Sequence, residues 1–146
     1  MVTAREIMTR GAECARTTES LVDVARRMRM LDVGAMPICG EDGHLRGMLT
    51  DRDIVVKCVA AGDDPAERTA GELAQGSTIT IGADDSVEQA LVTMMSADVR
   101  RLPVVDGHAL VGMVSLGDLA MNLPDEDVGE LVGELVGGVS SAPPNI

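Results

Sequence analysis

Apolar residues recur along this chain at two spacings, and the switch from one to the other marks out short elements. Leu21, Val24, Ala25, Met28 and Leu31 stand at i, i+3, i+4, i+7 and i+10. That is one face of a helix, with Thr18 or Ser20 placed to cap its first turn. Val87, Ala90, Leu91, Met94 and Ala97 repeat the pattern further on. Continuous apolar runs follow each helix: 35–39 then 47–50, and 102–105 then 110–115. The turn formers Gly40-Glu41-Asp42-Gly43 and Asp106-Gly107 separate the members of each pair, so each pair predicts a β-hairpin. A helix is expected over 51–62, ending at Gly62, with a counterpart over 116–123 before Pro124. Two shorter helices open at Thr3 and Thr69, each followed three residues later by a glutamate, Glu6 and Glu72, in the spacing of a capping box.

These elements form two copies of one pattern. At an offset of 66, TAREIM (3–8) falls on TAGELA (69–74), Ser20 on Ser86 and Pro37 on Pro103. After the loss of one residue in the next turn, RGMLTDRDIV (46–55) matches VGMVSLGDLA (111–120). The expected division is therefore 1–67, 68–125 and a remainder, 126–146. Each copy reads short helix, strand, helix, strand, strand, helix, which is an α+β unit with a small sheet and packed helices.

Composition narrows the function. The chain has 146 residues, 45% of them apolar, with ten Met and no Phe, Tyr or Trp. Its core must be built from aliphatic side chains, with Met filling irregular gaps. A formal charge of −12 is the wrong sign for replacing the counterions of nucleic acid, and no aromatic offers a surface on which bases stack. Charge divides unevenly: residues 1–68 hold 12 acids and 10 bases, residues 69–146 hold 12 acids and 2 bases. No apolar run approaches the length of a membrane span and no apolar leader opens the chain, so the expectation is a cytoplasmic protein without a transmembrane segment. No motif of nucleophilic, P-loop or zinc-protease chemistry is present, and no general acid–base pair stands out, so it is not expected to be an enzyme.

Two further segments carry the family. Met36-Pro37-Ile38 and Leu102-Pro103-Val104 form matching strands. Each is followed by a glycine-apolar-apolar-hydroxyl-x-x-Asp signature, Gly47-Met48-Leu49-Thr50-Asp51-Arg52-Asp53 and Gly112-Met113-Val114-Ser115-Leu116-Gly117-Asp118. Over about residues 3–123 the chain resembles a tandem pair of cystathionine β-synthase (CBS) domains. A pair with no attached enzyme domain resembles the stand-alone stress-induced members of that family. The resemblance implies two α+β domains about a pseudo-twofold axis, a regulatory or interaction role with a small-ligand sensor or a protein partner in view, and a homodimer formed through exposed helices. It also implies clefts that take AMP, ATP or S-adenosylmethionine, with Asp53 and Asp118 at the ribose and Thr50 and Ser115 on the phosphate side. Arg52 or Lys57 would then lie near the phosphate in the first copy. The second copy has only Arg100 and Arg101 as bases, and Gly117 where the first has Arg52.

The same residues also fit plain helix capping, in which hydroxyl and carboxylate satisfy the first N–H groups of a helix. Both readings stand at this point. The family fold sets the strands bearing Cys14 and Cys39 side by side, implying a disulfide that would close a loop of about 26 residues and contribute about 3–4 kcal/mol. The alternative is a pair of buried thiols, with Cys58 as a third core residue. A disulfide would fit a secreted or surface-acting interaction protein with empty clefts, exported without a signal sequence. His44 and His108 each follow a glycine in a hairpin turn and are candidate ligands for zinc, or else solvated turn residues. Beyond the repeats, Val128, Leu131, Val132, Leu135 and Val136 fall on one helical face behind Asp125-Glu126-Asp127, with Gly129, Gly133 and Gly137 along one edge. That helix is expected to dock on its own fold or on a second subunit, ahead of a disordered end.

Overall fold

The computed structural model describes residues 1–11, 13–74 and 78–123. In chain order they form α1 (Ala4–Ile7), β1 (Thr9–Arg10), β2 (Ala15–Arg16), α2 (Leu21–Leu31), β3 (Ala35–Cys39), β4 (Leu45–Thr50) and α3 (Asp51–Asp53). A π-helical turn over Ile54–Val59 continues α3, and α4 (Ala70–Leu73), β5 (Ile81–Gly82), α5 (Val87–Ala97), β6 (Arg101–Asp106), β7 (Ala109–Ser115) and α6 (Leu116–Ala120) follow. This is the α+β pattern that the two spacings predict. Of the two candidate caps for α2, Ser20 serves: its Oγ accepts from the Asp23 N–H at 3.1 Å. Ser86 Oγ caps α5 in the same way, accepting from the Gln89 N–H at 3.1 Å. Both helices stop at an aspartate in the left-handed region, Asp32 at φ 55° and Asp98 at φ 54°. Aspartate tolerates that conformation because its short side chain bonds locally.

The described residues divide into two compact units, each drawing on both sequence copies. One comprises Met1–Gly11, Ile79–Gly107 and the described residues from Val111; the other comprises the described residues between 12 and 78 with His108–Leu110. In the first, β1, β7, β6 and β5 form a four-stranded sheet. Leu102, Val104, Val114, Met94 and Leu119 are fully buried in its core together with Ala4. In the second, β2, β3 and β4 form a three-stranded sheet, and Leu21, Val24, Ile38 and Leu49 are fully buried with Ala70 and Cys58. The opening segment of each sequence copy thus completes the core of the other copy.

This exchange corrects the capping expected at Thr3 and Thr69. Neither side chain caps its helix. The first N–H groups are taken instead by backbone carbonyls: Ala4 donates to Asp85 at 2.8 Å and Arg5 to Ala83 at 2.9 Å, while Ala70 donates to Glu19 at 2.9 Å and Gly71 to Thr17 at 2.9 Å. With those donors satisfied, a side-chain cap has nothing left to do. Glycine marks the close approaches. A Cβ on Gly112 would lie 2.7 Å from the Thr9 carbonyl oxygen, and one on Gly71 would lie 2.8 Å from that of Thr17. Arg5 fastens α1 further, its guanidinium reaching Asp106 at 3.0 Å and Asp84 at 3.4 Å.

The helix expected over 51–62 is also different in kind. It keeps α-helical geometry only for Asp51–Asp53 and then widens, with the Ala60 N–H donating to the Val55 carbonyl, five residues back, at 2.8 Å. Ile54, Val55 and Val56 are β-branched and crowd a normal turn, and the wider turn relieves them. It does so while keeping Ile54 and Cys58 buried. In the other copy α6 is regular but ends at Ala120, short of the expected Leu123. The helix and tail expected over 126–146 lie outside the described residues. No helix among the described residues is long and apolar enough to cross a membrane.

Candidate functional site

Each hydroxyl–carboxylate pair singled out in the sequence sits where a strand turns into a helix. Thr50 ends β4: its Oγ1 accepts from the Asp53 N–H at 3.0 Å, and Asp53 Oδ2 accepts from the Thr50 N–H at 3.0 Å. Ser115 ends β7 and does the same with Asp118, at 3.1 Å and 2.8 Å. Both are complete capping boxes. Burial works to raise the Asp53 pKa, yet the Thr50 backbone N–H, its hydroxyl and Lys57 together hold it below the ordinary carboxylate value. Lys57 stands with its Nζ 3.3 Å from Asp53 Oδ1. Arg52 lies exposed on α3, its backbone N–H donating to Asp51 Oδ1 at 2.8 Å. The capping reading of Thr50, Asp53, Ser115 and Asp118 is therefore realised, and it occupies one oxygen of each carboxylate.

The expected disulfide is not formed: Cys14, Cys39 and Cys58 are free thiols. Cys14 precedes β2, and Cys39 ends β3 in the parallel pair that sets Arg16 opposite Cys39. Burial, then a hydrogen bond with Cys14, pushes the Cys39 thiol up to about 12. Cys39 is thus a buried, protonated thiol beside Cys14, as in the buried-thiol reading. Cys58 is fully buried, its Sγ 3.7 Å from the Asp63 carbonyl oxygen, and is the core residue it was expected to be.

The two histidines come together. His44 immediately precedes β4, after Gly43 at φ 76°, and His108 follows Gly107 at φ 65°. Both belong to the same compact unit. The backbone joins their turns: the Leu45 N–H donates to the His108 carbonyl at 3.3 Å and the Leu110 N–H to the Gly43 carbonyl at 3.4 Å. The imidazole centres lie 5.6 Å apart with the rings tilted by 43°. Behind them stands Asp42, in sequence a plain turn former. Its Oδ1 accepts from the His44 N–H at 3.0 Å, and its Oδ2 lies 3.2 Å from His44 Nδ1 and 3.0 Å from Arg46 Nη2. The His44 N–H and then Arg46 hold the Asp42 pKa below its ordinary value, so this carboxylate stays charged. The signal for it was present as an aspartate two residues before a turn histidine.

The chemistry of this cluster suits a divalent cation. With Nδ1 engaged by Asp42, Nε2 is the His44 nitrogen left for a metal, in the usual carboxylate–histidine–zinc order. Two imidazoles sharing one tetrahedral zinc at Zn–N distances of about 2.0–2.1 Å place their ring centres about 5 Å apart. The pair already stands close to that spacing. No group of three or more converging metal-binding side chains occurs among the described residues, so further ligands would be water or groups from elsewhere.

Comparison with known proteins places these features. The family model described as "CBS domain" matches residues 4–59 and 70–125. Hypoxic response protein 1 of Mycobacterium tuberculosis is 48% identical over 132 residues, covering 90% of this chain and 92% of that protein. The CBS domain-containing protein YhcV of Bacillus subtilis is 36% identical over 122 residues, 84% of this chain and 86% of its own length. Among solved structures, Hypoxic Response Protein I with two coordinated zinc ions superposes with a TM-score of 0.78 at 49% identity, covering 84% of this chain and all of that one (100%). A CBSX2 structure in complex with AMP superposes with a TM-score of 0.72 at 20% identity, covering 84% of this chain and 96% of that one, a likeness of fold.

Proposed function

The chain belongs to the CBS domain family, as two tandem copies, and from that premise we propose that it is a non-catalytic stress-response module whose ligand is a zinc-class cation held by His44 and His108. The observation that carries this reading is the pair of imidazoles 5.6 Å apart, one of them oriented by Asp42. Zinc there would act as a structural tie, fixing the two histidine-bearing turns of one unit against each other. The relative with 49% identity, whose structure holds two coordinated zinc ions, supports it. A homodimer through exposed helix faces is part of the same proposal, since Val55, Val59 and Met121 present apolar side chains that are 57%, 54% and 87% exposed.

A second reading, an adenosine ligand at the first-copy signature, is favoured by one feature, the Lys57 ammonium beside Asp53. The capped state of both carboxylates weighs against it. The free thiols lend no support to the secreted alternative, which went with a Cys14–Cys39 disulfide.

One assay separates the readings. Zinc at a hundredfold excess over its Kd stabilises a folded protein by about 2.7 kcal/mol. We therefore expect a rise in Tm of several degrees for the wild type and none for His44→Ala or His108→Ala. Asp42→Asn is expected to weaken zinc binding about 10–100-fold, the usual loss on removing a carboxylate that orients a ligand. Equal zinc shifts in wild type and both alanine variants would overturn the proposal. A rise with millimolar AMP, ATP or S-adenosylmethionine would support the second reading, and no rise would end it.

A further inference from the structure

Arg46 interrupts the ladder of the first hairpin. Along β3 and β4, Ile38 stands opposite Gly47 and Cys39 opposite Leu45, so Arg46 has no partner across the pair. An extra residue of this kind is a β-bulge, which bends its strand and re-aims a side chain. Here the side chain comes back over the hairpin turn, with Arg46 Nη2 3.0 Å from Asp42 Oδ2. The other sequence copy has Val111 at the matching position and so no such cation. Gly40 leaves the room: a Cβ there would lie 3.0 Å from both Arg46 Nη2 and Asp42 Oδ1, tighter than side chains ordinarily pack.

Asp42 is thereby held from two directions. His44 grips it from within the turn, its backbone N–H donating to Oδ1 at 3.0 Å and its Nδ1 lying 3.2 Å from Oδ2. Both contacts come from one residue and swing with it. Arg46 supplies the hold from the strand. We propose that Arg46 is a positioning residue for the metal site: by pinning Asp42 from the bulge, it fixes the His44 tautomer that carries its proton on Nδ1 and presents a bare Nε2 to zinc. This rests on the assignment of His44 and His108 as zinc ligands. The charge of Arg46 alone would repel a cation, but its pair with Asp42 is neutral as a whole, so the positioning effect prevails.

NMR of the imidazole nitrogens in the metal-free, full-length protein reads the tautomer at about pH 8, where an ordinary imidazole is neutral. The wild type is expected to hold His44 protonated on Nδ1, and Arg46→Met to shift it towards Nε2–H. Gly40→Ala, which displaces the guanidinium and leaves Arg46 in the sequence, is expected to do the same. Arg46 is exposed, so its variants keep the fold. Calorimetric zinc titration of Arg46→Met is expected to give a Kd about three- to tenfold weaker, a smaller loss than for Asp42→Asn because Arg46 acts one contact further out. Arg46→Lys, whose ammonium can still reach one oxygen, is expected to restore most of it. Adding Arg46→Met to Asp42→Asn is expected to weaken zinc no further, since the two act through one contact. An unchanged tautomer, tighter zinc in Arg46→Met, or a further loss in the double variant would overturn the proposal and leave the zinc ligands standing. A tautomer that answers to Arg46 in a protein that takes no zinc through His44 would overturn the zinc assignment, and the role of Arg46 towards a metal with it.

Discussion

Raising the pH from 9 towards 12 is expected to cost this protein about 4 kcal/mol of folding stability through one side chain, Cys39. In the fold, burial and then the hydrogen bond with Cys14 keep its thiol protonated up to about 12, against an ordinary value of 9.0. Between those values the unfolded chain gives up a proton that the folded chain retains. Stability then falls with pH at about 1.4 kcal/mol per unit. It is fully present below pH 9 and lost as pH rises through the folded value. The sequence contains no Tyr and a single lysine, Lys57, and comparison with Cys39→Ala separates Cys39 from the other two thiols. Urea midpoints measured from pH 8 to 11 should fall steeply for the wild type and much less for Cys39→Ala. Parallel lines for the two proteins would show that Cys39 ionises freely and is not held in an apolar site. A loss of this size is a large part of the 5–15 kcal/mol by which domains are usually stable.

Truncating the core of either unit is expected to be as damaging. Leu102 on β6 and Leu49 on β4 are each fully buried, and each lies in its own cluster of aliphatic side chains. Without aromatics, no large ring shares the load, and the aliphatic and methionine neighbours close a cavity at either position only in part. Leu102→Ala and Leu49→Ala are each expected to lower stability by about 2–5 kcal/mol. Met30→Ala, at a site 81% exposed, is expected to lower it by less than about 0.5 kcal/mol. Chemical denaturation decides the matter. A buried-leucine variant as stable as the wild type would mean that the two clusters are not the cores.

Much of this architecture was legible before any coordinates, because periodicity is a direct imprint of burial. The i, i+3, i+4 spacing from Leu21 and Val87 marks helices whose inward faces are the buried ones. The hairpins at 35–50 and 101–115 were visible from their turn residues. What escaped was anything set by partners distant in sequence. Thr3-x-x-Glu6 has the spacing of a capping box, but Ala4 and Arg5 donate to carbonyls at Asp85 and Ala83, and no local rule reports that. The widened turn at Ile54–Val59 escaped because β-branched crowding and a regular amphipathic helix share one apolar pattern. At the candidate site the histidines were visible as residue types in matched turns. Their approach to 5.6 Å depends on backbone bonds between Leu45 and His108 and between Leu110 and Gly43, which no spacing reveals. The cysteines show the reverse case. Their adjacency was inferred correctly, but their chemistry follows from the burial that keeps Cys39 protonated.

X-ray absorption at the zinc edge of the zinc-loaded full-length protein decides whether His44 and His108 together hold a zinc-class cation. Imidazole nitrogens are expected at about 2.0–2.1 Å, two per zinc, with the outer-shell pattern of histidine rings lost in His44→Ala and in His108→Ala. A shell containing sulfur at about 2.3 Å, or one made only of oxygen, would contradict this assignment.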